Sequence, residues 1–239
     1  MKPVIVLALV ALCVASCRLG FKTVRGSGNL IKEERNISGF STIEDAGSID
    51  VEIKIGSNYK VEVEADDNLM KYIKIEKRGE KLVIELKDNI NFKLENPVTV
   101  RIETPELQEV IASGSGNIKT IGQVNSTRTI ETSLAGSGNI DMMEVNAPSV
   151  ESSIAGSGNT NISGQTKNVD ISIAGSGSFN AADLRSENAN VSIAGSGNVK
   201  LFASVNLDVS IVGSGDVFYS GTPKISQSII GSGSIKSLQ

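Results

Sequence analysis

The sequence has 239 residues, a mass of 25.1 kDa and a net charge of -4, and 39% of its residues are hydrophobic. A chain of this length and apolar content can bury one or two cores and is too apolar to be disordered. It contains no His and no Trp, which excludes Ser-His-Asp and Cys-His nucleophile systems and metal sites that need imidazole. The acidic balance also excludes the basic stripe that binds phosphates, so we expect no nucleic-acid partner.

The amino terminus carries a targeting signal. Lys2 supplies a positive start, residues 4–12 are mainly aliphatic, and small residues precede Cys17, which is typical of a secretory signal peptide over residues 1–16. The tetrapeptide that ends at Cys17 resembles the lipobox of bacterial lipoproteins, in which the cysteine is lipidated. We therefore expect a lipidation site at Cys17 and a lipidated tether over residues 17–28. The alternative is an ordinary secreted protein with a stray cysteine.

Arg18 follows the expected lipidated cysteine. By resemblance to enterobacterial sorting signals, Arg at this position does not retain a lipoprotein at the inner membrane. In a source with two membranes, the resemblance implies placement at the outer membrane. The mature chain has no disulfide, because the only other cysteine, Cys13, leaves with the signal.

Residues 29–110 form a charged region in which apolar residues alternate with polar ones. The alternation predicts half-buried strands. The apolar positions that predict them are Ile49, Val51, Ile53 and Ile55; Val61 and Val63; Leu82, Ile84 and Leu86; and Val98, Val100 and Ile102. Asp66-Asp67-Asn68 before Leu69, Met70 and Ile73 predicts instead one N-capped helix of about two turns.

Residues 111–239 repeat. The triplet Gly-Ser-Gly begins at Gly114, Gly136, Gly156, Gly175, Gly195, Gly213 and Gly231, and an earlier copy begins at Gly26. A unit of about 20 residues is too short to fold alone, so neighbouring units must stack, with each strand about 4.8 Å from the next. A propeller blade needs roughly 40 residues, and a leucine-rich repeat needs its own consensus, so the sequence excludes both.

The remaining arrangement is all-β: a right-handed parallel β-solenoid, or β-helix-like stack. It would continue from a short irregular β region at residues 29–110 and contain at most one short helix. The predicted apolar column of the stack is Leu134, Ile154, Ile173, Ile193, Ile211 and Ile229. The predicted polar column, whose amides can hydrogen-bond along the stack, is Asn139, Asn159, Ser178, Asn198, Asp216 and Ser234.

Three segments carry a resemblance to a known family: Gly39-Phe40-Ser41, residues 46–51 and residues 63–69. Together with the repeated Gly-Ser-Gly-Asn, they resemble the head GIN domain family, described as putative auto-transporter adhesins, over about residues 40–233. The resemblance implies a β-solenoid in a secreted or lipid-anchored protein of a kind frequent among Bacteroidetes. It implies no catalytic residues.

The Gly-Ser-Gly-Asn motif has two competing interpretations. A phosphate cradle needs a helix start, whereas each triplet here lies between two strands, which favours a structural role for the glycines. A calcium-binding nonapeptide needs carboxylates, and Asp216 is the only acidic residue that directly follows a triplet. We therefore predict no metal site and no cofactor.

Asp170 and Asp208 are the candidates for chemistry. Each faces outward at a similar place in its repeat, two coils from the other and so about 10 Å away, close to the separation of an inverting glycosidase pair. Solvated charges on a β face explain them as well, so we assign no catalytic residue. Tyr219, beside Phe218, is either an exposed contact point for a sugar or a filler at the solenoid end.

These observations predict a lipid-anchored protein of the bacterial cell envelope that displays a rigid surface for adhesion or binding and is not an enzyme. Its ligand would be a glycan or a protein. The alternatives are a polysaccharide-active enzyme on a β-helix and a passive structural envelope protein. The final strand, around Ile225 to Ile235, has an unpaired edge and little room for a cap after it, which predicts weak self-association through the terminal coil.

Overall fold

The computed structural model describes residues 22–87 and 90–238. These residues form 23 strands and a single 3₁₀ turn at Met70–Tyr72. The strands before the repeats are β1 (Lys22–Arg25), β2 (Leu30–Arg35), β3 (Thr42–Asp45), β4 (Asp50–Ile55), β5 (Lys60–Asp66), β6 (Ile73–Arg78), β7 (Lys81–Leu86), β8 (Ile90–Lys93) and β9 (Thr99–Thr104). The predicted signal peptide and Cys17 lie outside the described residues.

The repeats supply the other strands. They are β10 (Glu109–Gly114), β11 (Asn117–Ile121), β12 (Val124–Asn125), β13 (Ile130–Gly136), β14 (Asn139–Gly156), β15 (Asn159–Gly175), β16 (Ser178–Ala181), β17 (Leu184–Arg185), β18 (Asn188–Gly195), β19 (Asn198–Phe202), β20 (Asn206–Gly213), β21 (Asp216–Ser220), β22 (Lys224–Gly231) and β23 (Ser234–Ser237). The predicted all-β class is confirmed.

The repeat strands stack in parallel as a solenoid, which confirms the predicted architecture. Ladder 1 contains the strands that end in a triplet: β10, β13, the second part of β14 and of β15, β18, β20 and β22. Ladder 2 contains the strands that follow a triplet: β11, the first part of β14 and of β15, β16, β19, β21 and β23. From Gly114 to Gly231 the chain makes six turns. The right hand of the winding stays a prediction.

The predicted apolar column is confirmed. Leu134, Ile154, Ile173, Ile193, Ile211 and Ile229 pair in register along ladder 1. All are buried except Ile229, which is partly buried against the core. Because side chains alternate across a strand, residues two apart from this column are also inward, and the stack encloses one continuous core.

The predicted polar column is confirmed in ladder 2. It also continues to Asn117 and Asp50, which precede its first predicted member, Asn139. Its members from Asn139 to Ser234 pair in register. The amide N–H groups donate along the stack from Asn159 to Asn139 (3.0 Å), from Asn139 to Asn117 (2.7 Å) and from Asn117 to Asp50 (2.8 Å). Asn139 and Asn117 thus each accept from one neighbour and donate to another.

The triplet glycines form the corner between the two ladders. Gly175 has a φ of 127°, and a Cβ atom there would lie 2.4 Å from the carbonyl oxygen of Gly156. That same oxygen accepts hydrogen bonds from the backbone N–H groups of Ser176 and Gly177 at 2.8 and 3.0 Å. The close approach and the positive φ both require glycine, so the triplet has a structural role.

An additional coil precedes the Gly-Ser-Gly coils. Strand β3 pairs with β10 and β4 pairs with β11, so residues 46–49 occupy the corner position of a triplet. One coil further out, β7 pairs with β3 and β9 pairs with β4. The spatial order of these coils therefore differs from their order in the chain.

Antiparallel strands lie at the outer end of this region. Strand β6 pairs with β7 on one side, while β5 pairs with β9 and β2 pairs with β5 on the other. Strands β1 and β8 form a separate two-stranded parallel sheet. The alternating segments predicted as strands correspond to β4, β5, β7 and β9, so that prediction is confirmed.

Two predictions for the first region are wrong. The helix expected after Asp66 is only the 3₁₀ turn, and no side chain caps it. Instead, the Asp67 carboxylate accepts hydrogen bonds from Ser27 Oγ (2.6 Å) and Asn29 Nδ2 (2.9 Å). The triplet at Gly26 is accordingly not a copy of the repeat, because it binds this loop and not a solenoid corner. Within the described residues, no helix has the length and apolar character of a membrane span.

Candidate functional site

A groove of about 640 Å³ runs along ladder 1 across six coils. Two outward rows of side chains line it. The first row, here called the acidic row, is Glu131, Glu151, Asp170, Asn190, Asp208 and Ser226. The second, the serine row, is Ser133, Ser153, Ser172, Ser192, Ser210 and Ser228. The strands between Ile130 and Gly231 therefore form a polar surface on one side and the core on the other.

The register of the strands produces the two rows. Every residue of the acidic row lies five positions before its triplet, and every residue of the serine row lies three positions before it. Residues two apart on a strand share a face, and neighbouring strands lie about 4.8 Å apart. Equivalent side chains therefore recur at that interval along the groove. The inward residue between the rows, such as Ile171 or Val191, is buried and contributes to the floor.

The groove carries an uncompensated negative charge. Four of its lining residues have carboxylates, and none of the described residues that line it is Lys or Arg. None of the ion pairs found in the described ranges involves these four carboxylates. Like charges on directly paired residues repel. A ligand that brings positive charge or hydrogen-bond donors would relieve this repulsion.

Hydrogen bonds within the groove are few. Asn190 Nδ2 donates to Asp170 Oδ1 at 2.7 Å, and Ser153 Oγ donates to Ser133 Oγ at 3.2 Å. The serine hydroxyls and the remaining carboxylate oxygens can thus contact a ligand with both donors and acceptors.

The structure places both predicted candidates in the groove. Asp170 and Asp208 lie in the acidic row, two coils apart, with Asn190 between them. Sequence reasoning missed Glu131 and Glu151, which precede Asp170 in the same row on the adjacent strands. Counting back five residues from each triplet would have found them.

The structure decides between the two interpretations of Tyr219 in favour of a filler at the solenoid end. Tyr219 is partly buried and packs against the core, on the same side of β21 as Val217. Its neighbour Phe218 lies on the opposite side, where Lys236 Nζ stands 5.6 Å from the ring centroid. Strand alternation does turn one of the two outward, but it is Phe218, and it lies on ladder 2, away from the groove.

A second, smaller groove of about 180 Å³ lies between β4, β5 and β9. Most of its charges are paired, either within the groove or with neighbouring side chains: Arg101 contacts Glu52 and Glu64, and Lys119 Nζ lies 2.9 Å from Glu52 Oε1. Hydrogen bonding to Lys119, with the nearby Arg101, holds the pKa of Glu52 below its usual value. This compensation makes the second groove a poorer candidate for a charged ligand.

The described residues contain no group of three carboxylate or thiol side chains that could hold a metal ion. Asp216, the acidic residue that follows a triplet, accepts a hydrogen bond from Ser234 Oγ, which lowers the pKa of its carboxyl group. The Asp216 carboxylate is thus already hydrogen-bonded to Ser234 on the neighbouring coil.

Residues 39–223 match the family described as "Putative auto-transporter adhesin, head GIN domain". The chain belongs to this family. Membership indicates an adhesin-like or binding protein of the cell surface or envelope, and confirms the family that the sequence motifs indicated. No curated protein matches the chain.

Solved structures share the fold over almost the whole chain. A protein from Bacteroides fragilis named a putative adhesin is 20% identical with a TM-score of 0.86, over 90% of this chain and 100% of its own. A protein from Parabacteroides distasonis named a putative lipid binding protein is 29% identical with a TM-score of 0.72, over 91% of this chain and 100% of its own. A putative adhesin from Parabacteroides merdae is 26% identical with a TM-score of 0.67, with the same coverage.

Proposed function

We propose that this chain is a non-catalytic, lipid-anchored module of the bacterial outer membrane that binds a linear polymer along the groove. The observation that carries the proposal is the pair of polar rows, which repeats at each of six coils without a basic side chain. A linear ligand lying along the stack would meet a hydroxyl group and a carboxylate or amide at successive steps of about 4.8 Å. Membership of an adhesin family supports a binding role.

The chemistry of the lining residues favours a glycan that carries hydroxyl or amino groups. Carboxylate oxygens accept hydrogen bonds from both groups, and serine hydroxyls donate and accept. No aromatic side chain lines the groove, so polar contacts and the negative field would supply the affinity. The same polar and acidic lining does not favour an acyl chain, so the groove is not proposed to bind lipid.

One observation favours the alternative of a polysaccharide-active enzyme. Glu151 and Asp170 are paired on adjacent strands, and two neighbouring carboxylates are the usual machinery of glycoside hydrolysis. The groove is an open surface, however, and lacks the enclosed pocket that would exclude water from a reacting bond. We therefore propose binding without turnover.

The test is a glycan and matrix-protein array probed with the chain from Arg18 to Gln239, which retains every described strand. The double variant Glu151→Gln/Asp170→Asn removes two charges from the groove and should weaken binding to a hit by about tenfold or more, as two lost charged hydrogen bonds predict. The matched control Asp183→Asn/Glu187→Gln removes two exposed charges elsewhere and should leave binding unchanged.

Each contrary outcome has a clear meaning. Equal binding by both double variants would move the ligand site away from the groove. A hit that is a protein and not a glycan would retain the groove but change the ligand class. Release of new reducing ends from an arrayed glycan, lost in the Glu151→Gln/Asp170→Asn variant, would support the enzyme. Absence of binding to any arrayed glycan or matrix protein would favour a passive structural role.

The lipid anchor is tested in the whole protein by metabolic labelling with an alkyne fatty acid in a bacterium with two membranes. Cys17→Ser should abolish the label and release the protein from the outer-membrane fraction, because acyl chains supply the attachment. Cys13→Ser, the matched control within the signal peptide, should retain both. Labelling that survives Cys17→Ser would contradict the proposed anchor.

A further inference from the structure

The last described coil, β22 with β23, has an outer edge that no described strand pairs with, whereas the corresponding edge of each preceding Gly-Ser-Gly coil pairs with the next coil. The carbonyl oxygen of Gly213 accepts hydrogen bonds from the backbone N–H groups of Ser232 and Gly233 at 2.9 and 3.2 Å. Gly231 is the equivalent glycine of the last coil, and no described strand lies beyond it. The outer edges of β22 and β23 therefore present backbone donors and acceptors that the fold pairs everywhere else along the stack.

Apolar side chains accompany this open edge. Ile225 stacks on the fully buried Leu207, yet 39% of its own surface is exposed. On the outward side of the same strand, Ile230 is 67% exposed next to Val212, which is 53% exposed. The equivalent positions in the four preceding coils are alanines. Large apolar groups thus replace small ones where the ladder stops.

The opposite end of the molecule is protected. Strand β2 lies antiparallel on β5 and reads Leu-Ile-Lys-Glu-Glu-Arg, and β6 lies antiparallel on β7 and reads Ile-Lys-Ile-Glu-Lys-Arg. Charged side chains on an edge strand disfavour pairing with another chain. In β22 the only charged residue is Lys224, at its first position. The two ends therefore do not fit each other as a continuing head-to-tail stack.

We propose that the open edge binds a second copy of this chain, end to end, through antiparallel pairing of the two β22 strands. A two-fold axis makes the contact self-complementary and closes it at a dimer. The axis must keep the inward faces of both strands on the same side, because a one-residue slip would bring core residues against solvent-facing ones. Of the two-fold registers this allows, those through residues 227 and 228 lie nearest the centre of the strand. Pairing through residue 227 places Ile225 opposite Ile229, whereas pairing through residue 228 would place Ile225 opposite Gly231, so the first matches apolar with apolar residues.

Pairing through residue 227 gives favourable partners at each step. Ile225 lies opposite the partner's Ile229, which extends the apolar core across the interface. Gln227 lies opposite the partner's Gln227, whose amide can donate and accept. Lys224 lies near the partner's Ile230 and far from the partner's Lys224, so no like charges meet.

The test is sedimentation velocity of the chain from Arg18 to Gln239 at roughly 1 to 100 µM, the range in which interfaces of modest size associate. The parent chain should show a mass that rises to that of a dimer and stops there. Gln227→Lys places like charges opposite each other across the axis and should raise the dissociation constant at least tenfold. Ile31→Lys, the matched control on the edge strand β2 at the other end, should have no effect.

A cysteine variant tests the register independently. The chain from Arg18 contains no cysteine, because Cys13 and Cys17 precede it. Gln227→Cys should form an intermolecular disulfide rapidly in mild oxidant, whereas Ser226→Cys should form it slowly, since residue 226 does not meet its own copy. A monomer mass throughout the concentration range, equal cross-linking by the two cysteine variants, or dissociation by Ile31→Lys would each overturn the proposal.

Discussion

The coils before β10 and the Gly-Ser-Gly coils keep the same register with different chemistry. The first, here called the charged coils, are β3 with β4 and β7 with β9. Ion pairs join their strands, including Lys81 with Glu44 at 2.9 Å and Arg101 with Glu52 at 3.1 Å. The Gly-Ser-Gly coils use neutral amides, as in the column Asn206, Asn188 and Asn168, with hydrogen bonds of 2.8 and 3.0 Å.

The difference between neutral amides and charged groups explains why the amide column repeats along the Gly-Ser-Gly coils whereas the ion pairs of the charged coils do not. An amide both donates and accepts, so identical amides can stack through any number of coils. A carboxylate or an ammonium group repels its own copy on the next strand and needs a partner of opposite sign. The acidic row of the groove stacks like charges without such partners, and this departure from both patterns supports a binding role for that surface.

The corner glycine gives the largest expected difference between the two regions. Gly175→Ala should lower the free energy of unfolding by about 3 kcal/mol or more, because a Cβ atom would overlap the Gly156 carbonyl and the backbone has a positive φ. At the equivalent corner of the charged coils, a Cβ atom on Gly47 would have its nearest contact at 3.6 Å, with Asp45. Gly47→Ala should therefore change the free energy of unfolding by less than about 1 kcal/mol.

Urea denaturation followed by far-ultraviolet circular dichroism measures both variants. Equal losses of stability would show that the close carbonyl contact relaxes, and would remove the distinction between the two corners.

Asp45 provides the second comparison. It occupies the column that continues through Ala112 to Leu134, so a carboxyl group lies where later coils bury an apolar side chain. Burial raises the pKa of the Asp45 carboxyl group from 3.8 to about 7, because neither of its oxygens has a hydrogen-bond partner among the described residues; the nearby backbone of Ile49 and Gly47 acts in the lowering direction. The charged form is therefore unfavourable in the folded protein.

The sign of the pH effect follows from these values. Between pH 3.8 and about 7 the unfolded chain has lost the Asp45 proton while the folded chain retains it, so this group lowers stability as pH rises. Asp45→Asn should remove that part of the decline, of the order of 4 kcal/mol across the window. The measurement is the urea midpoint at several pH values from 4 to 8. Asp216→Asn is the control, because its pKa is lowered and it is ionised in both states over most of this window.

An unchanged pH profile in Asp45→Asn would show that the buried carboxyl group is solvated or paired in solution.

The sequence predicted the solenoid and both columns because the triplets repeat and every residue is fixed relative to them. It did not reveal the coil at residues 46–50, because Ile49 replaces the second glycine and Asp50 replaces the asparagine. The antiparallel strands β2 and β6 were also missed, because β2 lacks regular alternation of apolar residues and Ile73, the first residue of β6, was assigned to the expected helix. The expected helix failed for a tertiary reason: Asp67 binds Ser27 and Asn29 and leaves the turn uncapped.

The candidate site was predicted only in part. Asp170 and Asp208 were found because each follows a buried residue, whereas the groove depends on how six strands curve together, which no single segment encodes. The sequence left the orientation of Tyr219 open, because alternation fixes that two neighbouring side chains diverge but not which of them points inward.

The smallest expected effect distinguishes the ion pairs of the charged coils from the amide hydrogen bonds of the Gly-Ser-Gly coils. Arg101→Ala removes a partially exposed guanidinium that contacts Glu52, Glu62 and Glu64, and should cost about 1 kcal/mol at low salt. Asn159→Ala removes one amide from the polar column and should cost a similar amount. The measurement is the urea midpoint of each variant relative to the parent at low and at 1 M sodium chloride.

Salt should distinguish the two variants even where their costs at low salt are equal. The Debye length falls to about 3 Å at 1 M salt, so most of the cost of Arg101→Ala should disappear, while that of Asn159→Ala should persist. Low pH should weaken the ion pairs as well. Lys119 and Arg101 hold the pKa values of Glu52 and Glu64 below their usual range. The stabilising contribution of these two carboxylates is therefore present above the usual value of 4.5 and is lost as pH falls through the lowered values. If both costs responded equally to salt, the charged coils and the Gly-Ser-Gly coils would not differ in the way their strands are held together.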